Sequence, residues 1–128
     1  MAVRIVQLGS KRAPDEGLRI GTVRRPPRGV PKAEFGTRDY YDVWLPTLAP
    51  SAPLVTQALA ASTEAEWNTF ARHFRAEMKQ HDPSHVLDLL AALSKTTNFS
   101  VGCYCDDESR CHRSILRELL HERGASIK

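Results

Sequence analysis

A short segment near the C-terminus holds all three cysteines of the chain and one histidine: Cys103, Cys105, Cys111 and His112. A thiolate is both a nucleophile and a metal ligand, and an imidazole is a base or a metal ligand. Because the number of cysteines is odd, a closed set of disulfides is not expected. Clustered thiols in a reducing compartment are typical of metal or reactive-thiol chemistry. The segment 103–114 is therefore predicted to be the functional end of the chain.

A strand, an acidic loop and a helix are predicted to position these groups. Residues 99–105 alternate as a strand does, with the cysteines on the same face as the apolar residues. The loop 106–110 is short and polar, and Ser109 is expected to be the N-cap of a helix over residues 111–123. Since the inner stripe of that helix recurs every three to four positions, the thiol and the imidazole at its start are expected to point inward.

A thiol at the start of a helix should be unusually acidic. A helix N-terminus carries roughly half a positive charge and free N–H groups, and thiol pKa values of about 3.5–7.5 occur there. The sequence therefore predicts Cys111 or Cys105 as a nucleophile or redox thiol, with His112 as its base or orienting partner. The same N–H groups form a cradle for an anion, and Arg113 and Ser114 are candidate ligand-binding residues beside it.

A metal-binding or redox-sensing module without turnover is the alternative interpretation of this cluster. The three thiols and the imidazole are ligand types suited to zinc or iron. However, Cys111 and His112 are adjacent and are expected to be hard to bring onto one tetrahedral ion, and Cys-x-Cys is less typical of structural zinc sites than a two-residue spacing. No metal ligand is assigned from the sequence, and the cofactor is left open. Cys103 alone is expected to be a small packing residue.

Basic residues are concentrated at the other end of the chain. The net charge is only +3, but residues 1–32 contain eight Lys or Arg against two acidic residues. This excess predicts either a solvated basic face or an anion-attracting surface. The proline-rich loop 24–31 contains Arg24 and Arg28, which are candidate binding residues for a small anion. Nucleic acid is an alternative partner, although neither interleaved aromatic residues nor a recognition-helix pattern supports it.

The rest of the chain alternates strands with helices. Residues 2–8 and 18–23 are predicted strands, and residues 40–45 are predicted to form a short strand or a wall of the core. A capping box at Thr63–Glu66 precedes the apolar stripe of one helix. Asp82, followed by a proline, marks the expected start of another helix.

This alternation predicts one α/β domain over residues 1–128, with a mostly parallel sheet and flanking helices in three layers. Apolar residues make up 41% of the chain and charged residues 26%, as in ordinary globular proteins. No apolar run approaches the roughly 20 residues of a membrane span, and the N-terminus lacks signal-peptide features. A cytoplasmic protein without a membrane partner is therefore expected, and the oligomeric state is left open.

Three groups of residues carry a family resemblance and together cover nearly the whole chain. They are Cys-Tyr-Cys at 103–105 with Cys-His-Arg-Ser at 111–114, Arg24 with Pro-Arg-Gly-Val at 27–30 and Lys32, and Trp-Leu at 44–45 with Leu-Ala-Pro-Ser at 48–51. In this combination and order the chain resembles the family called domain of unknown function 488, or DUF488, and in particular its small single-domain branch.

The resemblance implies an α/β fold that brings the Cys-His-Arg end and the arginine loop together, and it brings no assigned reaction. Many relatives have an acidic residue just before the arginine matched by Arg24 and a Trp two positions after it. Val23 and Pro26 stand at those positions here, so a carboxylate that could orient the arginine is missing. The phosphatase pattern of Cys, five residues and Arg is also absent, since Cys111 is the sixth residue after Cys105. The thiol at the helix start and the arginine-rich proline loop together predict a pocket for a small phosphate-like or nucleotide-like anion.

Overall fold

A four-stranded parallel sheet lies at the centre of the computed structural model, which describes all 128 residues. The predicted α/β class with a parallel sheet is confirmed, and the segment at 40–45 contributes a two-residue edge strand. The strand order is β1-β4-β2-β3. The strands are β1 (Val3–Gln7), β2 (Leu18–Gly21), β3 (Val43–Trp44) and β4 (Phe99–Cys103).

Four helices complete the fold: α1 (Ala52–Ala60), α2 (Glu64–Met78), α3 (His81–Leu93) and α4 (His112–Glu122). The predicted capping box starts α2. The backbone N–H of Glu66 donates to Thr63 Oγ1 at 3.1 Å, and the N–H of Thr63 donates to Glu66 Oε1 at 3.2 Å. None of the helices has the length and apolar character needed to cross a membrane.

Two predicted helix starts are wrong by one or two residues. Helix α3 begins at His81 with Gln80 as its N-cap, so Asp82 lies inside the first turn. Helix α4 has Cys111 as its N-cap instead of Ser109. The reason is a single 3₁₀ turn at Glu108–Arg110, which uses up the residues expected to start the helix. Such a turn is common at helix ends and cannot be seen in an apolar stripe.

The main hydrophobic core lies between one face of the sheet and the helices. It joins alternate strand residues to the inner stripes of α2, α3 and α4. The partly buried Leu54 and Ala58 of α1 pack against its edge. Its fully buried members include Val3, Val101, Phe70, Phe74, Leu87 and Leu116.

Loops, not helices, cover the opposite face of the sheet, and a buried ion pair holds them there. The side chain of Arg19 is fully buried, and its guanidinium donates to both Glu16 carboxylate oxygens at 2.7 and 2.9 Å. It also donates to the carbonyls of Ser10 and Asp39 at 2.8 and 2.7 Å. Ser100 on β4 donates to Glu16 at 2.7 Å. One guanidinium therefore joins β2 to two loops, and the three layers are helices, sheet and loops.

The buried pair gives the first prediction. Burial raises the pKa of Glu16, but hydrogen bonds from Arg19 and Ser100 outweigh it and lower the pKa from 4.5 to about 2. The stabilisation is thus present above pH 4.5 and is lost as the pH falls toward 2. We expect Glu16→Gln to lower the free energy of unfolding at pH 7 by about 3–5 kcal/mol, because it leaves a buried charge unpaired.

Urea denaturation at pH 7 and at pH 3 measures both effects, with Asp15→Asn as the matched control. Asp15 pairs with Arg4 at 2.8 Å on the surface, so its loss should change stability little. Equal effects of the two variants at pH 7 would contradict the structural role of the buried pair.

Candidate functional site

The cysteine cluster lies where β4 ends and α4 begins, at the carboxyl edge of the parallel sheet, where open α/β sheets bind ligands. Cys103 and Cys111 are buried with Leu8, Val23 and Tyr41 in a second, smaller apolar cluster. Cys105 lies two residues beyond β4 and is exposed. The structure therefore brings together all three thiols and leaves one of them open to solvent.

The three sulfur atoms are close enough to share protons. Cys103 Sγ and Cys105 Sγ are 3.8 Å apart. Hydrogen bonds from Cys103 and Cys111 lower the pKa of Cys105, and the nearby charge of Arg113 lowers it further. Hydrogen bonds with Cys103 and Cys105, together with burial, raise the pKa of Cys111. The expectation that the helix start would lower the pKa of Cys111 is therefore wrong, because that thiol donates to the neighbour that ionises.

His112 is held as a neutral imidazole in a defined orientation. Its Nε2–H donates to the Thr22 carbonyl at 2.6 Å, at the end of β2. Burial lowers the pKa of His112 to about 4, although the bond to Thr22 raises it. The other ring nitrogen, Nδ1, lies 3.9 Å from Cys111 Sγ and keeps its lone pair on that side. His112 therefore faces Cys111, and the ring packs edge-on against Phe74 at 5.5 Å between centroids.

Arg113 is a buried cation without a carboxylate partner. It is 5% exposed, and its Nη2 donates to the carbonyls of Cys105 and Asp106 at 2.9 and 3.4 Å. Its Nε has no hydrogen-bond partner. Ser114 donates to the Cys111 carbonyl at 2.8 Å. Both are predicted to bind a ligand; neither lines the cleft described below, and the positive charge of Arg113 acts on Cys105.

The carboxylates of the acidic loop after Cys105 are held by hydrogen bonds. Asp106 accepts a hydrogen bond from Gln7 at 2.7 Å, and Asp107 accepts one from the backbone N–H of Ser109 at 3.0 Å. Glu108 pairs with both sides of the Arg117 guanidinium at 2.6 and 2.9 Å. Each carboxylate therefore has a hydrogen-bond partner, and only Glu108 is paired with a cation.

A cleft of about 870 Å³ opens beside the cluster and joins it to the arginine loop. Four arginines line it and no acidic residue does. Apolar residues of α1, including Val55 and Leu59, form another wall. The residues of this cleft that carry polar chemistry are Arg24, Arg25, Arg28, Arg110, Tyr40, Tyr104, Cys103, Cys105, Cys111 and His112.

The arginines of the cleft differ in what holds them. Arg24 donates to three backbone carbonyls of the segment 46–50 at 2.9 to 3.2 Å, so carbonyls orient its guanidinium in the absence of the carboxylate expected in relatives. Arg28 is exposed and makes no ion pair. Arg110 lies 5.9 Å above the Trp67 ring. Arg25 and Arg110 were not assigned to the site from the sequence, because only the folded cleft shows that they face the same space.

The same cluster contains the one group of side chains that could hold a metal ion. The ligand atoms of Cys103, Cys111 and His112 lie within 4.8 Å of one another. The adjacent Cys111 and His112 were expected to be hard to bring onto one tetrahedral ion, yet Cys111 Sγ and His112 Nδ1 lie 3.9 Å apart. The backbone of Cys111, the N-cap of α4, is extended, with φ −127° and ψ 144°.

Comparison with known families agrees with this architecture. A sequence model of DUF488-N3a, described as the active DUF488-N3 subclade, matches residues 3–124. The chain belongs to the DUF488 family. No curated protein and no solved structure matches it. In this DUF488 protein the arginine loop and the Cys-His-Arg segment line or border one cleft.

The arrangement of thiols in the DUF488 protein predicts which cysteine reacts. Reduced protein treated with iodoacetamide should be alkylated first at Cys105. The rate of Cys105 alkylation should stay high below pH 7. A free thiol, with a pKa of about 8.5, would lose about tenfold in rate per pH unit there. Cys103→Ala removes a donor to Cys105 and should move the inflection of the rate to higher pH.

Peptide mapping by mass spectrometry identifies the alkylated residue at each pH. Cys111 labelled first, or an inflection for Cys105 near the free value, would contradict the assignment of the ionised thiol.

Proposed function

We propose that the cleft binds a small anionic ligand of phosphate or nucleotide type, and that Cys105 acts on it as the nucleophile. The observation that carries the proposal is that four arginines and the thiol of lowest pKa line one cleft that has no acidic residue. A cleft lined by one sign of charge, with apolar walls, raises the local concentration of ligands of the opposite sign.

The cations of this cleft are available to a ligand. Arg25, Arg28 and Arg110 are exposed and belong to no ion pair, whereas most other arginines of the chain are paired with a carboxylate. Guanidinium groups match the oxygens of a phosphate in two-point hydrogen bonds. The apolar wall that includes Val55 and Leu59 would contact a less polar part of the ligand, as in a nucleotide.

The thiols would divide the work between reaction and support. Cys105 is the exposed thiol of the cleft, whereas Cys103 and Cys111 border the same cleft but are buried. Cys111 is 1% exposed and donates toward Cys105, and the His112 ring lies beside it, with Nδ1 3.9 Å from the Cys111 sulfur. We therefore assign Cys105 as the catalytic residue and Cys111 with His112 as positioning residues. A neutral His112 facing Cys111 supports this division better than a role as the base for Cys105.

Nucleic-acid binding by the basic first quarter of the chain is a weaker alternative. Arg4, Arg12 and Arg19 are paired with carboxylates, which reduces the positive potential of that region. The guanidinium of Arg24 donates its hydrogen bonds to backbone carbonyls. Of the basic residues of this quarter that remain unpaired, Arg25 and Arg28 line the cleft, which favours a small ligand over an extended backbone.

The test is protection of Cys105 from iodoacetamide by inorganic pyrophosphate and by adenosine diphosphate. Both anions should slow alkylation with saturable dependence on concentration, and the effect should weaken as salt is added. Arg28→Gln should weaken binding roughly tenfold to a hundredfold, since a hydrogen bond to a charged group contributes about 1.5–3 kcal/mol.

Arg72→Gln is the matched control, because Arg72 is an exposed arginine on α2 that does not line the cleft. The proposal fails if neither anion protects Cys105 at low salt, or if Arg72→Gln weakens protection as much as Arg28→Gln does.

A further inference from the structure

Two distances within the thiol–imidazole cluster are those expected between ligands of one tetrahedral ion. With Zn–S near 2.3 Å and Zn–N near 2.05 Å, two sulfurs on one ion lie roughly 3.8 Å apart, and a sulfur and a nitrogen roughly 3.6 Å apart. Cys103 Sγ and Cys105 Sγ are 3.8 Å apart, and Cys111 Sγ and His112 Nδ1 are 3.9 Å apart. The donor atoms of Cys103, Cys111 and His112 all lie within 4.8 Å of one another, and the Cys105 sulfur lies beside that of Cys103 and would have to move inward to become a fourth ligand.

The imidazole is already arranged as a metal ligand. A ligating histidine almost always donates its second ring N–H to a carbonyl or carboxylate, which fixes the tautomer. Here Nε2–H donates to Thr22 at 2.6 Å, and Nδ1 is left toward the sulfurs. Three of the four donors are buried. Cys103 is the last residue of β4, and Cys111 and His112 lie at the start of α4.

The charge around the cluster also suits a metal thiolate. Three thiolates and a divalent ion sum to one negative charge, which a buried site must offset. Arg113 is 5% exposed, has no carboxylate partner and keeps an unpartnered Nε. Its positive charge is near enough to Cys105 to favour the thiolate form.

We propose that Cys103, Cys111 and His112, with Cys105 as the fourth ligand, bind a thiophilic divalent cation of the zinc class. Binding would occupy the Cys105 sulfur and would therefore stop its reaction with a ligand in the cleft. The metal site does not depend on the proposed function. The inhibition of Cys105 by bound metal does rest on the proposed function, in which Cys105 is the nucleophile. The metal-loaded and thiol-reactive forms are two exclusive states of one cluster.

The experiment uses the full chain, reduced and stripped of metal, titrated with Zn²⁺ in competition with a chromophoric chelator. The wild type should bind about one equivalent, and Cys111→Ser should bind at least about a hundredfold more weakly, more than the loss of an outer-shell partner costs. Bound Co²⁺ should show thiolate charge-transfer absorption and the intense visible bands of tetrahedral geometry.

The surface histidines provide the matched control. His81 and His85 lie 4.3 Å apart between ring centroids and could take up zinc adventitiously. A His81→Gln, His85→Gln double variant should bind zinc as the wild type does. Circular dichroism of Cys111→Ser checks its fold, and the Co²⁺ spectrum of the wild type decides the question without any variant.

Each outcome decides between the inferences. Less than about a tenth of an equivalent bound, a Co²⁺ spectrum without thiolate absorption, or loss of binding in the histidine double variant would overturn the metal site. Zinc that blocks alkylation of Cys105 supports the exclusive states. If zinc binds but pyrophosphate does not protect metal-free Cys105, the proposed function fails and the metal site stands. If pyrophosphate protects Cys105 but zinc does not bind, the metal site fails and the proposed function stands.

Discussion

The hydrogen bond from His112 to the Thr22 carbonyl is the contact on which the whole site depends. At 2.6 Å it ties the first residue of α4 to the residue that follows β2. The arginine loop leaves the sheet two residues later, and the thiol cluster lies on the other side of the same imidazole. One buried ring therefore sets the distance between the cations and the sulfurs, which are far apart in the chain.

The electrostatics of the cleft follow from where the acidic residues are used. The protein has 15 Asp and Glu against 18 Lys and Arg, so a cationic cleft requires the acids to be engaged elsewhere. Glu16 is buried with Arg19, and the acidic loop after Cys105 pairs with Gln7, Ser109 and Arg117. The acidic residues thus stabilise the frame, and the cleft keeps its positive charge.

Much of the fold could be predicted because it depends on local patterns. The strands β1, β2 and β4 and the helix α2 follow from alternation, helical spacing and a capping box, all readable over a few residues. The α1 helix was missed because it is short, follows closely spaced prolines and buries no residue completely. The 3₁₀ turn at Glu108–Arg110 was missed because its cap is Asp107, one of several equivalent acidic residues.

The site was predicted in composition but not in detail. The sequence indicates that Cys105, Cys111 and His112 belong together. Which thiol ionises depends on which sulfur accepts hydrogen bonds from the others, and the spacing of the cysteines in the sequence does not predict those hydrogen bonds. Likewise, Arg24 is indistinguishable from Arg28 in the sequence, and only the fold shows that one binds carbonyls while the other is free. Tertiary contacts decide these roles.

The most direct test of the central claim is the ultraviolet absorbance of thiolate as a function of pH in the metal-free wild type, minus that of Cys105→Ser. An ionised Cys105 among two protonated thiols predicts that the difference already corresponds to about one thiolate at pH 6, well below the free cysteine pKa of about 8.5. A difference that develops only around the free value would contradict it.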